Sequence, residues 1–274
     1  MAQADPRLQY HVAAGMGELR IDLNADLGES FGRYRLGDDE ALVPLLSSAN
    51  VACGFHAGDP LVIDRTLRML RRSRVSLGAH PGFRDLVGFG RRSLAATPQE
   101  IEADVAYQVS ALAGMGRRAG LGLRHVKAHG ALYNLAWRDE SVAGAVARAV
   151  ASLRLSLILV APSGSALEEA ARDAGLQVAL EAFADRAYAA DGTLVPRQAP
   201  GAVLRDPRQV AERAVRIVRD GVVEAEGGSL LRLPADTLCI HGDTPSAVTM
   251  AAAVREALVA AGVDVLPLIS PSNA

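Results

Sequence analysis

The chain has 274 residues, half of them hydrophobic and 22% charged, which is enough apolar material for a buried core and too much for a disordered chain. Its 29 basic and 31 acidic residues leave a formal net charge of −2, so there is no basic excess to track a phosphate backbone and nucleic-acid binding is disfavoured. No membrane-length apolar run or apolar leader occurs, and Cys53 and Cys239 lie far apart in separate apolar runs, so the expectation is a cytoplasmic protein without a disulfide framework.

Residues 19–24 read as the first strand. Alternation beyond it puts Asp22, Asn24 and Asp26 on one face, inward if the leucines and Ala25 face outward. A second strand at 48–52 runs into Cys53-Gly54-Phe55-His56. Asp59-Pro60 then starts a helix, with a side-chain acceptor at the N-cap and proline at the first helical position. The strand at 75–79 leads into His80. Thr97-Pro98-Gln99-Glu100 forms a capping box, after which Ile101, Val105, Val109 and Leu112 fall on one helical face. The strand at 124–128 carries Lys127, with His129 two residues on. Near-continuous apolar character at 155–161 suits a strand buried on both faces. Ser165 to Glu168 repeats the cap, and the strand at 177–183 contains Glu181 and runs into Asp185-Arg186. Gly192, Pro196, Pro200 and Gly201 make 191–204 a long loop. A helix start at Asp206-Pro207 is followed by a β-hairpin at 222–233 that turns at Gly227-Gly228. The strand at 237–241, a helix start at Thr244-Pro245 and a last strand at 263–267 complete the chain.

Strand–helix alternation of this kind predicts an α/β fold: a single-domain β/α barrel of seven or eight parallel strands with an inserted hairpin. The domain is expected to span 19–274, with 1–18 as an N-terminal extension. In such barrels the loops after the strands converge at one mouth. Four of the six histidines, His56, His80, His129 and His241, occupy that end. Asp22 suits either a buried structural acid or a catalyst. Lys127 suits either the shared site or an ion pair with Asp22 or Glu181. Asp59 is most simply a helix cap. Arg91-Arg92 suits an anionic substrate group or a solvated surface, and Cys53 a nucleophile beside His56 or, more commonly, a buried thiol. Asp26, His56 and His129 together offer a carboxylate and two imidazoles to a divalent metal ion, as a metal-dependent deacetylase or hydrolase requires. There is no P-loop and no Gly-x-Ser-x-Gly elbow, and Gly114-Met115-Gly116 lacks the context of a dinucleotide fingerprint.

The segments Asp22-Leu23-Asn24-Ala25-Asp26-Leu27-Gly28-Glu29-Ser30-Phe31-Gly32, Ser48-Ala49-Asn50-Val51-Ala52-Cys53-Gly54-Phe55-His56-Ala57-Gly58-Asp59, Gly78-Ala79-His80-Pro81-Gly82-Phe83, Gly88-Phe89-Gly90-Arg91-Arg92, His125-Val126-Lys127, Phe183-Ala184-Asp185-Arg186 and His241-Gly242-Asp243 resemble the LamB/YcsF family, in the family's order over nearly the whole chain. One departure is Lys127-Ala128-His129-Gly130, where the family usually has proline for alanine. The resemblance implies a barrel of the glycoside hydrolase/deacetylase type. It implies the A subunit of a prokaryotic ATP-dependent 5-oxoprolinase, which acts with subunits B and C on 5-oxo-L-proline, with ATP as co-substrate bound here or on a partner. The site residues expected on that footing are Asp22, Asn24, Asp26, Glu29, His56, His80, Lys127, His129 and His241 for catalysis. Arg91, Glu181, Arg186 and Asp243 are expected to bind substrate. A non-catalytic, lactam-binding scaffold is the remaining alternative.

Overall fold

The computed structural model describes residues 19–241 and 246–268. Strands β1 (Leu19–Leu27), β2 (Ser48–Ala52), β3 (Ser76–His80), β4 (Leu123–Val126), β5 (Ile158–Pro162) and β6 (Gln177–Phe183) pair in parallel in chain order. After an antiparallel hairpin of β7 (Val222–Glu224) and β8 (Leu230–Arg232), β9 (Thr237–Ile240) lies between β6 and β1 and closes a seven-stranded barrel. The eighth candidate, β10 (Val263–Val265), pairs only with Leu19 to Ile21 at the start of β1, before the register with β9 begins at Asp22.

Helices α1 (Asp39–Leu42), α2 (Pro60–Ser73), α3 (Pro98–Arg118), α4 (Gly130–Ala136), α5 (Glu140–Ser152), α6 (Ala166–Asp173), α7 (Pro207–Asp220) and α8 (Ala247–Ala260) connect the strands. Asp59 caps α2 by accepting from the Leu61 and Val62 amides, Thr97 and Glu100 form the reciprocal box at α3, and Asp206 caps α7. Ile101, Val105, Val109 and Leu112 are all buried, so the helical stripe read from the sequence is the face of α3 turned to the core. The start expected at Thr244-Pro245 lies outside the described residues. The fifth strand begins three residues later than expected, because Arg154 takes a left-handed φ of 51° and the Leu157 amide bonds to the Leu155 carbonyl in a tight turn.

Strand alternation sorts the side chains. Leu23, Ala25, Leu27, Ala49, Val51, Leu77, Ala79, Leu159 and Ala161 join the large core between sheet and helices. Ile158, Val160 and Ala179, of opposite parity, form a separate small cluster with Leu268 inside the barrel. The rest of the interior is polar: Asp22, Asn24, Ser48, Asn50, His80, His125, Lys127, Glu181 and Thr237 are all buried.

Candidate active site

Buried polar groups must pair, and inside the barrel the donors and acceptors can be followed one by one. The Ser47 and Ser48 hydroxyls each donate to Asp22 Oδ1 at 2.6 Å, and the Thr237 hydroxyl donates to Oδ2. Thr237 Oγ1 in turn accepts from Asn24 Nδ2 (2.6 Å), which also donates to Glu181 Oε1 (3.2 Å). Asn50 gives its two amide hydrogens to Asn24 Oδ1 (2.7 Å) and Asp26 Oδ1 (2.9 Å), and accepts from His125 Nε2 (2.8 Å). His125 reaches across because residue 78 is glycine; a Cβ there would lie 1.9 Å from the imidazole.

At the top of this network sits Lys127. Its ammonium contacts Glu181 Oε1 (2.9 Å), Asp26 Oδ1 (3.2 Å) and Cys239 Sγ (3.0 Å). Burial opposes the charge, but Asp26, Cys239 and Glu181 outweigh it and hold Lys127 well above the ordinary lysine value. Burial likewise opposes the Asp26 carboxylate, yet His80 and Lys127 hold it well below the usual carboxylate range. Glu181 receives a second hydrogen bond from the Tyr133 hydroxyl at 2.8 Å.

Four buried residues, Glu29, His56, His80 and His129, bring one ligand atom each within 4.8 Å of one another. Two tautomers follow from backbone carbonyls, which only accept. His80 Nδ1–H donates to the Lys127 carbonyl (2.8 Å) and His129 Nε2–H to the Phe89 carbonyl (2.8 Å). The remaining nitrogens, His80 Nε2 and His129 Nδ1, face each other 3.0 Å apart, a separation that requires a proton or a cation between them. Asp26 Oδ2 is 3.3 Å from His80 Nε2, and Glu29 Oε1 is 3.7 Å from His129 Nδ1. Neither ring nitrogen of fully buried His56 has a hydrogen-bond partner. Burial, and then the neighbouring histidines, push His56 well below the ordinary histidine value and His129 down to about 3. His56 and His129 are therefore held in the neutral form that a metal ligand needs. His56 stacks flat on His129, with centroids 3.8 Å and planes 3° apart, so their in-plane lone pairs run parallel. The cluster thus keeps His56 and His129 of the trio expected from sequence and adds His80 and Glu29, while Asp26, 3.3 Å from His80 Nε2, stands beside the four rather than among them.

The cluster opens into a cavity of about 790 Å³ whose wall includes Asp26, His80, Arg91, Lys127, His129, Arg186 and His241. His241 Nδ1 faces the buried Asp185 carboxylate at 2.9 Å, which fixes the tautomer with Nε2 as the basic nitrogen. Burial opposes ionisation of Asp185, and His241 more than compensates, holding it below the usual range. Several expectations change here. Glu181 is spent on Lys127, Asn24 and Tyr133 rather than on substrate. Asp22 lies beneath the cavity with its oxygens taken by three hydroxyls, and Lys127 pairs with Glu181 rather than with Asp22. Arg92 is tied to Asp85, leaving Arg91 as the member of that pair on the wall. Cys53 is buried in the core, and burial pushes its thiol up to about 12. Asp243 lies outside the described residues.

Tyr133 and Arg197 were not singled out from the sequence, and Asn50, His125 and Asp185 entered only as members of the segments that resemble the family. Parity would have found His125, which alternates with Lys127 and His129, and Asn50, which alternates with Ser48. Tyr133 lies one helical turn beyond His129. Asp185 and Arg197 sit on the long loop after β6, where no periodicity indicates which side chain turns inward.

The LamB/YcsF family profile matches residues 21–273. The 5-oxoprolinase A subunit from Symbiobacterium thermophilum is 57% identical over 246 residues, which is 90% of this chain and 94% of that protein. Among solved structures, the lactam utilization protein of Thermus thermophilus superposes with a TM-score of 0.87 at 51% identity, covering 91% of this chain and all of that one. The catalytic domain of peptidoglycan N-acetylglucosamine deacetylase from Eubacterium rectale shares the fold alone, with a TM-score of 0.51 at 12% identity over 93% of this chain and 90% of that one. With the family profile running through every strand of the barrel and close relatives covered nearly end to end, this chain belongs to the LamB/YcsF family.

Proposed function

We propose that this chain is the A subunit of an ATP-dependent 5-oxoprolinase, opening the lactam of 5-oxo-L-proline to L-glutamate in the cytoplasm together with subunits B and C. The observation that carries the reading is the Lys127 ammonium, fixed by Asp26 and Glu181 at a cavity floor beside His80 and His129. It stands in a chain 57% identical to a relative that bears that name. Closing glutamate to its unstrained lactam is favourable, so opening the ring requires coupling, and ATP supplies it. The sequence has no P-loop, and the proposal gives the nucleotide to a partner subunit.

In this mechanism Lys127 stabilises the negative charge that develops on the oxygen of the attacked carbon. His241, oriented by Asp185, takes a proton from the attacking water and returns it to the departing ring nitrogen. Asp26 keeps Lys127 charged, while Asp22, Asn24 and Asn50 hold the strands that carry them. Arg91 and Arg186 receive anionic groups of the substrate. The donor set fits a divalent ion, with His56, His80 and His129 as nitrogen ligands and Glu29 as the carboxylate. Such an ion supplies Lewis-acid polarisation of a carbonyl oxygen and a lowered pKa for bound water.

The same cluster supports a second reading, a metal-dependent amide hydrolase of this barrel type that needs no ATP. Glutamate release from 5-oxoproline, with and without ATP, separates the two. Extract from cells lacking the gene is assayed before and after adding back the purified chain. ATP-dependent release restored only by the chain is the expected result. Release without ATP would favour the second reading, and no loss on deletion would remove the first.

A further inference from the structure

We propose that His125 is a positioning residue: through Asn50 it fixes the Asp26 carboxylate against Lys127 and His80. The proposal deepens the ring-opening reading above, and the arm of its test that measures turnover rests on that reading.

The first observation is a chain of forced orientations. A carboxylate only accepts, so the Asn50 atom 2.9 Å from Asp26 Oδ1 is the amide nitrogen, which also donates to Asn24 Oδ1 at 2.7 Å. Asn50 Oδ1 is the atom left to face β4, and His125 Nε2–H donates to it at 2.8 Å. His125 thus anchors the far side of an amide whose two hydrogens are spent on β1. Without that anchor the amide is free to turn about its last side-chain bond, and turned over it would set oxygen against the Asp26 carboxylate. Asp26 has little else to fix it. Oδ1 also accepts from Lys127 Nζ at 3.2 Å, and Oδ2 lies 3.3 Å from His80 Nε2. Asn50 therefore supplies the one contact of this carboxylate that comes from outside the reacting groups.

The second observation is what the fold gives up to admit this ring. Across from it on β3 stands Gly78, where a Cβ would overlap the imidazole. The register between β3 and β4 slips at the same place, between Leu77 and Gly78. The ring is buried, and its Nδ1 has no hydrogen-bond partner. Burial, and then the charges of Lys127 and His80, push it down to about 3, so it stands there neutral. An unpaired buried acceptor opposes folding. A glycine, a register slip and an unpaired nitrogen are all tolerated for the sake of a single hydrogen bond to Asn50.

The third observation is that neither His125 nor Asn50 is on the wall of the cavity. Any effect of His125 on the reaction must pass through Asp26, which is on that wall. Leucine at 125 removes one unpaired acceptor, His125 Nδ1, and creates another, Asn50 Oδ1. Stability should therefore change little while the site loosens, which a merely structural histidine would not allow.

The test compares His125→Leu with His125→Gln, whose amide nitrogen can stand in for Nε2. The chain holds four asparagines, so selective nitrogen-15 labelling of asparagine resolves the Asn50 side-chain amide in the purified full-length chain without substrate. Its hydrogens are expected to exchange slowly with solvent in the natural chain. Their protection should fall about tenfold or more in His125→Leu and return in His125→Gln. In the add-back assay, kcat should fall about tenfold or more in His125→Leu, with KM for 5-oxoproline unchanged, and recover in His125→Gln. The melting temperature of His125→Leu should stay within about 4 °C of the natural chain. An Asn50 amide indifferent to His125→Leu would overturn the proposal, as would an unchanged kcat. So would a large fall in melting temperature that His125→Gln does not restore, because His125 would then be a structural part of the barrel. If the chain supports no ring opening at all, the labelled amide still decides, so the two readings fail separately.

Discussion

Asp22 and Asp26, four residues apart on β1, are driven in opposite directions. Burial, opposed by hydrogen bonds from Ser47, Ser48 and Thr237, pushes Asp22 up to about 6, whereas His80 and Lys127 hold Asp26 well below the ordinary range in spite of burial. A carboxyl group whose native pKa exceeds its unfolded value binds extra protons when folded. Its stabilising contribution is complete below the unfolded value and is lost as pH rises through about 6. For Asp22 that loss amounts to about 2 kcal/mol between pH ~4 and pH ~7. Urea unfolding of Asp22→Asn should therefore show its stability, relative to the natural chain, rising by about that amount over the same interval. A difference that does not vary with pH would refute the assignment. That Asp22, Asn24 and Asp26 face inward was legible from alternation alone. Their separate roles were not, because the groups that decide them arrive from other strands: Ser48 and Asn50 from β2, His80 from β3 and Thr237 from β9.

At the scale of elements, the strands and capped helices could be read because their signals are local. The α4 helix could not. Its N-cap position is His129, which makes no side-chain cap bond because both ring nitrogens are committed to Phe89 and His80. A histidine stands where a Ser, Thr, Asp or Asn would have marked the helix start. The loop between β3 and α3 shows the same trade. Gly90 has a φ of +62°, and a Cβ there would lie 2.7 Å from His56 Cβ and 2.8 Å from His129 Cδ2. Its carbonyl meanwhile accepts from Ala131 at 2.9 Å. Gly90→Ala combines left-handed strain with a clash, so it should destabilise by more than the ~1 kcal/mol expected of strain alone. Gly192→Ala isolates the strain, since φ is +84° there and no atom lies within 4 Å. Chemical denaturation of both variants measures the difference, and equal losses would mean that the loop yields to the added methyl group without cost.

For the whole molecule, the question is why a parallel barrel should fill its centre with carboxylates, amides and imidazoles. Barrel interiors of this class are ordinarily layered with branched aliphatic side chains, and here the apolar cluster of the interior, among the described residues, is Ile158, Val160, Ala179 and Leu268. A polar interior is tolerable when every donor meets an acceptor, and from Asp22 through Asn24, Asn50 and His125 nearly every group does. The chain of partners breaks at His125 Nδ1, at both ring nitrogens of His56, and between His80 Nε2 and His129 Nδ1, which need a proton or a cation between them. A divalent ion held by Glu29, His56, His80 and His129 would satisfy the nitrogens that face it. It would also stabilise the fold by mass action, by about 2.7 kcal/mol at a hundredfold excess over its dissociation constant. Elemental analysis of the purified chain should therefore find a divalent metal. Chelation should lower the melting temperature, and Zn²⁺ or Mn²⁺ should restore it. His80→Ala should abolish the response, whereas Arg138→Gln should keep it. A metal-free chain with a melting temperature indifferent to chelator and to added ions would mean that a shared proton, and not a cation, holds the two imidazoles together.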